Sequence, residues 1–350
     1  MCRVDPGDPS GLGRRIMTSL LLTGGAGFIG SNFIRYLLAN TDWRITVLDR
    51  LDEAGTWNRV MDLRDAHPTR LISHWHDLRA PVNPSFMPGP FDYVAHLAAG
   101  SHVDRSVRDP LGFVMDNVVG TANLLEYCRA VRPQKLLYFS TDEVFGPAPD
   151  GVVFDEHSPH TPNNPYAASK AGGEALCPAW ANTYGLPITV THCTNVYGPG
   201  QYSEKFIPLA TRKILSGETL DIHAKDGVPS SRYYIHVDDV SRAILTVLQH
   251  GETIRGPWTG KYNITGDREY SNLEVARSIA DTLNRPLHTQ LIEDPPGRPR
   301  PDQRYAIGGV KLKALGWAPQ VPFAQGLRET VQGLITHPPG RAQPAQHHPV

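Results

Sequence analysis

The chain has 350 residues, enough for one large α/β unit or two closely joined domains, but too many for one small module. Lys and Arg number 34 and Asp and Glu number 35, so the overall charge argues against a partner such as nucleic acid or an anionic membrane surface. Hydrophobic residues make up 40%, and no apolar run approaches the length of about 20 residues that spans a bilayer.

Both ends of the chain predict segments outside the folded unit. Residues 1–16 are polar and lack the apolar stretch of a secretory signal, so we expect a disordered extension before Met17. Residues 336–350 are rich in Pro and His and predict a disordered tail. The four cysteines lack metal-site spacing, which predicts reduced thiols in a cytoplasmic protein; they are Cys2, Cys128, Cys177 and Cys193.

Predicted strands and helices alternate through the first 200 residues. Apolar residues from Phe28 to Leu38 recur at helical spacing, and a second helix is expected at about 117–131. This β-α-β succession predicts a parallel sheet with helices on both faces. The expected strands are residues 19–23, 44–49, 71–76, 91–99 and 135–141.

The pattern becomes irregular after about residue 200. Helices are expected near 204–216, 238–250 and 272–284, with Pro-rich stretches close to the end. We therefore expect a larger domain at 17–200 and a smaller, mixed α/β substrate-binding lobe at 201–335.

A glycine-rich turn directly follows the first predicted strand and opens the first predicted helix. Gly24, Gly27 and Gly30 allow a tight turn and close approach of a pyrophosphate, for which the helix start supplies free N–H groups. Asp49 ends the next strand, where a carboxylate accepts the ribose hydroxyls of a dinucleotide and repels a 2′-phosphate. The pattern predicts a Rossmann-type doubly wound sheet and favours NAD over NADP, although the neighbouring Arg50 keeps NADP open.

Tyr166 and Lys170 lie four residues apart in YAASK, so both project from one helix face. Tyrosine is a poor base at neutral pH, and a nearby ammonium group lowers its pKa by favouring the phenolate. The pair therefore predicts a tyrosine base assisted by lysine.

These motifs resemble those of the extended short-chain dehydrogenase/reductases that act on nucleotide sugars. LAAGSHVDRS, STDEVFG, NVYGPGQYSEKFIPL, YNITGDREYSNLEV and RYAI resemble the dTDP-glucose 4,6-dehydratase family over about residues 18–335. The resemblance implies NAD-dependent conversion of a nucleotide hexose to its 4-keto-6-deoxy form, and a homodimer formed through helices near 117–131 and 166–184.

The resemblance also implies catalytic roles. Tyr166 would accept the 4-hydroxyl proton with Lys170 beside it, and Thr141 would bind the sugar near that hydroxyl. Glu143 would remove the C5 proton and Asp142 would protonate the departing 6-hydroxyl. Neighbouring carboxyl groups at the end of a strand tend to have different pKa values, so that one is protonated while the other is ionised. An acid and a base side by side require this difference.

Further positions match the ligand contacts of the family. Beside Asp49, the residues expected to contact the cofactor are Gly24, Gly27, Phe28, Ile29, Gly30, Asp77, Leu78, Leu97, Ala98, Ala99, Tyr166 and Lys170. Those expected to contact the nucleotide sugar are Ser101, Asn195, Glu204, Lys205, His223 and Arg232. Arg232 suits bidentate contact with a diphosphate.

Three alternatives remain at this stage: a nucleotide-sugar 4-epimerase, a dehydratase of a different nucleotide sugar, and a non-catalytic NAD-binding protein. The adjacent Asp142 and Glu143 argue against simple epimerisation, which has no use for them. Gly100, Val196 and the segment 295–303 depart from the family pattern, which leaves the base and the sugar open. No metal site is predicted.

Overall fold

The structure is a computed structural model and describes residues 17–52, 55–293 and 302–336. The predicted extension at 1–16, most of the predicted tail and residues 295–301 lie outside the described residues. Thr336, the first residue of that predicted tail, ends the last helix instead.

A seven-stranded parallel sheet forms the centre of the fold. Its strands are β1 (Ser19–Thr23), β2 (Arg44–Asp49), β3 (Leu71–Trp75), β4 (Tyr93–His96), β5 (Lys135–Thr141), β6 (Ile188–Cys193) and, from later in the chain, β11 (Lys261–Ile264). The spatial order is β3-β2-β1-β4-β5-β6-β11, so the direction of winding reverses between β1 and β4. Ligands of such sheets bind outside the carboxyl ends of the strands at this reversal.

Two three-stranded sheets lie outside the central one. The first has the order β12-β10-β7, with β7 (Asn195–Tyr197), β10 (Ser231–His236) and β12 (Glu269–Ser271). The second has the order β13-β8-β9, with β8 (Leu220–Lys225), β9 (Val228–Pro229) and β13 (Thr289–Ile292).

Eleven helices connect the strands within the described residues. They are α1 (Phe28–Asn40), α2 (Asn58–Ala66), α3 (Val103–Arg108), α4 (Pro110–Val114), α5 (Gly120–Val131), α6 (Pro165–Tyr184), α7 (Phe206–Leu215), α8 (Val237–His250), α9 (Asn272–Leu283), α10 (Val310–Ala314) and α11 (Phe323–Thr336). A π-helical turn, Met115–Val119, joins α4 to α5, and a 3₁₀ turn, Asp142–Phe145, follows β5.

The core consists of apolar layers on both faces of the central sheet. Leu20 and Leu22 of β1 pack toward α1 and α8, whereas Leu21 packs on the other face with Leu124 and Leu125 of α5. Successive strand residues point to opposite faces, and because helices cover both, the run of leucines is buried throughout. This arrangement confirms the predicted doubly wound α/β sheet.

A separate apolar cluster lies among the smaller sheets and their helices. It joins α7, β8, β10, α9 and α11 through side chains such as Ile207, Ile222, Ile279 and Leu327. The predicted boundary at residue 200 does not separate the layers, since β11 and α8 belong to the central sheet and its core. Cys128, Cys177 and Cys193 are buried free thiols. Each helix in the described part of the chain is too short or too polar to cross a bilayer.

Candidate active site

The glycine-rich turn leaves no room for side chains between β1 and α1. Gly24 has a φ of +74°, and a Cβ there would lie 2.6 Å from the backbone nitrogen of Ala98. A Cβ on Gly30 would overlap the carbonyl oxygen of Gly24. Helix α1 starts at Phe28 with Gly27 before it, and no side chain caps its first N–H groups. The turn therefore offers a phosphate close backbone approach and free donors.

Asp49 closes the same end of the cavity from β2. Its Oδ2 accepts a hydrogen bond from Ala26 N and its Oδ1 one from Leu51 N, both at 2.9 Å. Burial raises the pKa of this carboxyl, while the two amide hydrogen bonds oppose the rise. Each oxygen keeps a further lone pair, which suits ribose hydroxyls.

Three carboxylates surround the guanidinium group of Arg50. Its guanidinium binds both oxygens of Asp116, one of them at 2.7 Å, and lies 3.1 Å from Asp52 and 3.7 Å from Asp77. These partners raise the pKa of Arg50 further above its ordinary value. Surrounded by three carboxylates, Arg50 is a poor receptor for a 2′-phosphate, so the turn, Asp49 and the surrounding charges fit NAD.

A cavity extends from this turn to the ends of β5 and β6 and on to the smaller lobe. Most of the predicted site residues line it together: Gly24, Gly27, Phe28, Ile29, Gly30, Asp49, Asp77, Leu78, Leu97, Ala98, Ala99, Ser101, Thr141, Asp142, Glu143, Tyr166, Lys170, Asn195 and Lys205. Three predicted substrate contacts do not line it: Glu204, His223 and Arg232.

Helix α6 carries Tyr166 and Lys170 into the cavity. Asn164 caps the helix by accepting Ala167 N at 2.8 Å, and Pro165 fills its first turn, where no N–H partner is needed. The backbone N–H of Tyr166 donates to Ser106 Oγ at 3.0 Å. The ammonium group of Lys170 donates to the carbonyl oxygen of Phe139 at 2.7 Å. The first bond fixes the start of the helix at the sheet end, and the second holds the Lys170 side chain on the face that also carries Tyr166.

The electrostatics of this pair differ from the prediction in the unliganded chain. We expected the Lys170 ammonium to lower the pKa of Tyr166, but burial and the charges of Glu143 and Asp142 raise it, with only a hydrogen bond to Thr141 opposing them. Burial also lowers the pKa of Lys170 to about 8, although Glu174 opposes this change. Two buried groups without ligand charge nearby both favour their neutral forms, so the pKa of Tyr166 lies above its ordinary value in the unliganded chain.

Asp142 and Glu143 follow β5 directly in the 3₁₀ turn. Asp142 is 3% exposed; its Oδ1 accepts Thr141 Oγ1 at 3.2 Å, while its Oδ2 has no hydrogen-bond partner among the described residues. Burial, and then the charge of Glu143, raises the pKa of Asp142 to about 7. Asp142 therefore carries a proton in much of the population at neutral pH, with a free oxygen in the cavity wall.

Glu143 is positioned by residues that the sequence analysis did not select. Its Oε2 accepts Asn164 Nδ2 at 2.9 Å and lies 3.4 Å from the hydroxyl of Tyr305. Tyr305 donates its single hydroxyl hydrogen to Asp302, which also accepts Asn163 Nδ2 at 2.6 Å. Tyr305 belongs to the RYAI motif, and Asn163 and Asn164 stand shortly before YAASK, but only the fold brings them to Glu143.

Arg232 contacts the chain itself rather than the cavity. Its guanidinium lies 4.9 Å from the centre of the Tyr305 ring and donates to the carbonyl oxygens of Asp302 and Gln303, both at 2.9 Å. It therefore holds residues 302–305 beside Glu143. Arg232 was expected to contact the diphosphate of the substrate, but in this structure its guanidinium faces residues 302–305 instead.

The other predicted substrate contacts lie between the lobes or away from the site. Lys205 donates to the carbonyl oxygen of Ser101 at 2.9 Å, and Glu204 pairs with Arg105 at 2.9 Å and with His102 at 3.2 Å. These contacts connect the segment before α7 to α3. His223 lies on β8, outside the cavity lining.

Comparisons with known proteins agree with this geometry. Residues 20–265 match the model of a family described as the NAD dependent epimerase/dehydratase family. A dTDP-glucose 4,6-dehydratase of Streptomyces niveus is 38% identical over 320 residues, covering 89% of this chain and 91% of that protein.

Solved structures are similar over the same extent. The dTDP-glucose 4,6-dehydratase of Streptomyces venezuelae, solved with NAD and TYD bound, superposes with a TM-score of 0.81 at 37% identity, covering 91% of this chain and 98% of that one. The UDP-glucose 4-epimerase of Thermus thermophilus, solved with NAD, superposes with a TM-score of 0.80 at 31% identity. The match covers 91% of this chain and 100% of that one. Because both activities share this fold, the side chains of the site must distinguish them.

Proposed function

The chain belongs to the NAD dependent epimerase/dehydratase family, and we propose that it is a nucleotide-sugar 4,6-dehydratase, a hydro-lyase. It converts a nucleoside-diphosphate hexose, of the dTDP-glucose or UDP-glucose type, to the 4-keto-6-deoxy sugar. The observation that carries this proposal is the pair Asp142 and Glu143 in the same cavity as Tyr166 and Lys170.

The cofactor is NAD. Gly24, Gly27 and Gly30 hold its pyrophosphate against the start of α1, and Asp49 accepts ribose hydroxyls. The remaining cofactor contacts come from three positions along the cavity, which are Asp77 with Leu78, Leu97 to Ala99, and the face of α6 that carries Tyr166 and Lys170. Bound NAD supplies the hydride acceptor for oxidation at C4 and the hydride donor for reduction at C6.

Tyr166 removes the proton of the 4-hydroxyl group during oxidation at C4. Its buried phenol needs stabilisation as a phenolate, and Lys170, four residues along α6, supplies the positive charge. Thr141 hydrogen-bonds near the 4-hydroxyl and stabilises the charge that develops there.

The carboxylates then remove water across C5 and C6. A ketone at C4 acidifies the C5 proton, and Glu143 accepts it, held in place by Asn164. Asp142, whose pKa of about 7 keeps a proton available, donates to the departing 6-hydroxyl group, which leaves as water. After reduction at C6, Glu143 returns the proton to C5. Tyr166 then releases the 4-hydroxyl proton to solvent and Asp142 takes one up from solvent, so that all three groups return to their starting protonation states.

The nucleotide sugar lies across the opening toward the smaller lobe. Ser101 and Asn195 line the cavity and bind the sugar, and Lys205 supplies local positive charge for the diphosphate. Glu204, His223 and Arg232, which match the ligand contacts of the family, lie outside this lining. Sugars of both dTDP and UDP are proposed as substrates.

Epimerisation at C4 is the second candidate, because an epimerase has the same fold. It requires hydride removal and return at C4, for which Tyr166 and Lys170 suffice. The raised pKa of Asp142 beside Glu143 favours the dehydratase, since only elimination needs an additional acid and base. The same intact groups argue against a non-catalytic NAD-binding protein.

We further propose a cytoplasmic homodimer. Free buried thiols support a reducing compartment. Leu111 is 75% exposed, and Val114 and Met115 are about two-fifths exposed, next to α5 and α6. An apolar surface at this position supports pairing through α5 and α6, the helices predicted near 117–131 and 166–184.

The deciding experiment uses dTDP-glucose and UDP-glucose deuterated at C4, with NMR of the product. A dehydratase transfers deuterium to C6 beside a 4-ketone. Deuterium that stays at C4, with the configuration inverted, would overturn the proposal in favour of epimerisation. The preferred nucleotide is the one with the higher kcat/KM.

A further inference from the structure

A second group of ionisable side chains lies on α6, outside the cavity that holds the catalytic residues. Glu174, one turn beyond Lys170, is 1% exposed and meets His192 of β6 and His160 from the loop before α6. We call His160, Glu174 and His192 the α6 triad. None of its members lines the catalytic cavity, and the proposed reaction does not use them.

The potential ligand atoms of the α6 triad converge. His192 Nε2 lies 3.0 Å from Glu174 Oε2, and His160 Nε2 lies 3.4 Å from Glu174 Oε1. All three ligand atoms lie within 4.8 Å of one another. Ligands at about 2.0–2.2 Å from a tetrahedral zinc ion stand roughly 3.3–3.6 Å apart. The His160–Glu174 separation of 3.4 Å fits a shared cation as it stands, and the His192–Glu174 separation of 3.0 Å would widen by a few tenths of an ångström.

A hydrogen bond fixes the tautomer of His192. Asn263 Nδ2 donates to the carbonyl oxygen of Gly308 at 2.9 Å, so its Oδ1 faces His192 Nδ1, also at 2.9 Å. An amide oxygen only accepts, and Nδ1 must therefore carry the hydrogen. Nε2 is then the free ligand atom, and a neutral His192 directs its lone pair at the carboxylate of Glu174. Two acceptors 3.0 Å apart require a cation between them, either a second proton or a metal ion.

We propose that the α6 triad is a binding site for a divalent transition-metal ion of the zinc type. Two imidazole nitrogens and one carboxylate are the donor set that such ions prefer. Asn263 acts as the outer hydrogen-bond partner that orients a ligating histidine, as is common at metal sites. His160 is one-quarter exposed, which leaves an open side for entry and for a water ligand.

Lys261 is the competitor for this site. Its ammonium group lies 3.0 Å from Glu174 Oε1, and its side chain is 21% exposed, so it has a path to solvent. A divalent ion would displace two positive charges, the Lys261 ammonium group and the second proton of His192. It brings two positive charges of its own. The buried charge is therefore unchanged, and the exchange avoids the cost of burying additional charge. Ser140 continues to donate to Glu174 Oε2 at 2.8 Å.

The experiment titrates Co²⁺ and Zn²⁺ into the metal-stripped full chain. It records the visible absorption of Co²⁺, the binding isotherm of Zn²⁺ and the melting temperature. We expect stoichiometric binding with nitrogen–oxygen coordination and an increased melting temperature. His160→Ala is expected to weaken binding at least tenfold, whereas Lys261→Met is expected to strengthen it by removing the competing cation.

The matched control is His157→Ala, three residues before His160 in the same loop and in contact with Trp258 rather than Glu174. It should bind metal like the unchanged chain. A cation held elsewhere, including by His347 and His348, would be insensitive to His160→Ala and Lys261→Met alike. Such insensitivity, or the absence of Co²⁺ absorption in a folded protein, would overturn the proposal and leave Lys261 and a proton as the cations at Glu174.

Discussion

Asn164 donates Nδ2 to Glu143 Oε2 at 2.9 Å while its Oδ1 accepts the backbone N–H of Ala167 at 2.8 Å. One amide side chain thus orients the proposed base and also caps α6, the helix that presents Tyr166 two residues later. The proton acceptor for C5 and the proton acceptor for the 4-hydroxyl group are therefore positioned through the same residue.

Substitutions of Asn164 are expected to separate these two functions. Asn164→Ala removes both hydrogen bonds and should lower the free energy of unfolding by about 1 kcal/mol as well as kcat. Asn164→Ser retains a cap but does not reach Glu143, so its stability should stay near that of the unchanged chain while kcat falls. Urea unfolding and steady-state kinetics test both variants. A serine variant with full kcat would show that Glu143 needs no contact with Asn164.

Glu143→Gln is expected to stop elimination without stopping oxidation at C4. The amide cannot accept the C5 proton, whereas Tyr166 and Lys170 are unchanged. Product formation should fall at least about 100-fold, the range for loss of a general base, and reduced nicotinamide should accumulate under single-turnover conditions. Asp150→Asn, an exposed carboxylate just beyond the same turn, is the control with normal turnover. Full turnover by Glu143→Gln would remove Glu143 from the mechanism.

The pKa of Asp142 predicts the alkaline side of the pH profile. Burial raises it to about 7, and only the protonated form can donate to the leaving hydroxyl group. We therefore expect kcat/KM to decline as the pH rises through about 7. A profile flat to pH 9 in the unchanged chain would contradict Asp142 as the acid.

The same shift has a consequence for stability. The pKa of Asp142 is higher in the folded than in the unfolded chain, so ionisation weakens the folded state progressively between about pH 4 and pH 7. Asp142→Asn lacks this group, and its stability relative to the unchanged chain should improve over that window by about 4 kcal/mol. Chemical denaturation at pH 4, 6 and 8 measures the difference, and a constant difference would contradict the raised pKa.

Much of the fold was predictable because its signals are local. The glycine-rich turn, the helical spacing after Phe28 and the apolar strands each involve residues within about a dozen positions. The observed β1, β2 and β5 coincide with the predicted segments. In contrast, β11 pairs with β6 across about 70 residues, and nothing in its own four residues specifies that neighbour.

The candidate site divides in the same way. Tyr166 and Lys170 were recognisable because one helix carries both, and Asp142 and Glu143 because they are adjacent. Tyr305 reaches Glu143 across 162 positions, and Arg232 binds the chain near Tyr305 rather than facing the cavity. The α6 triad joins three elements at residues 160, 174 and 192, a spacing without a recognisable pattern in sequence. Contacts of this kind depend on the folded arrangement of the strands.

Asp49 should determine both the affinity for NAD and the discrimination against NADP. In Asp49→Asn one side-chain oxygen becomes an NH₂ group, which then faces the backbone N–H of Ala26 or Leu51. Both of these groups are donors, so one of the two hydrogen bonds to the chain is lost. We expect the Kd for NAD to rise at least tenfold and the ratio of NADP to NAD affinity to increase, because the charge that repels a 2′-phosphate is gone. Fluorescence titration with both cofactors measures this, and Asp65→Asn, an exposed carboxylate on α2, is the control. An unchanged affinity for NAD would contradict ribose binding by Asp49, and an unchanged ratio would place the discrimination with the carboxylates around Arg50.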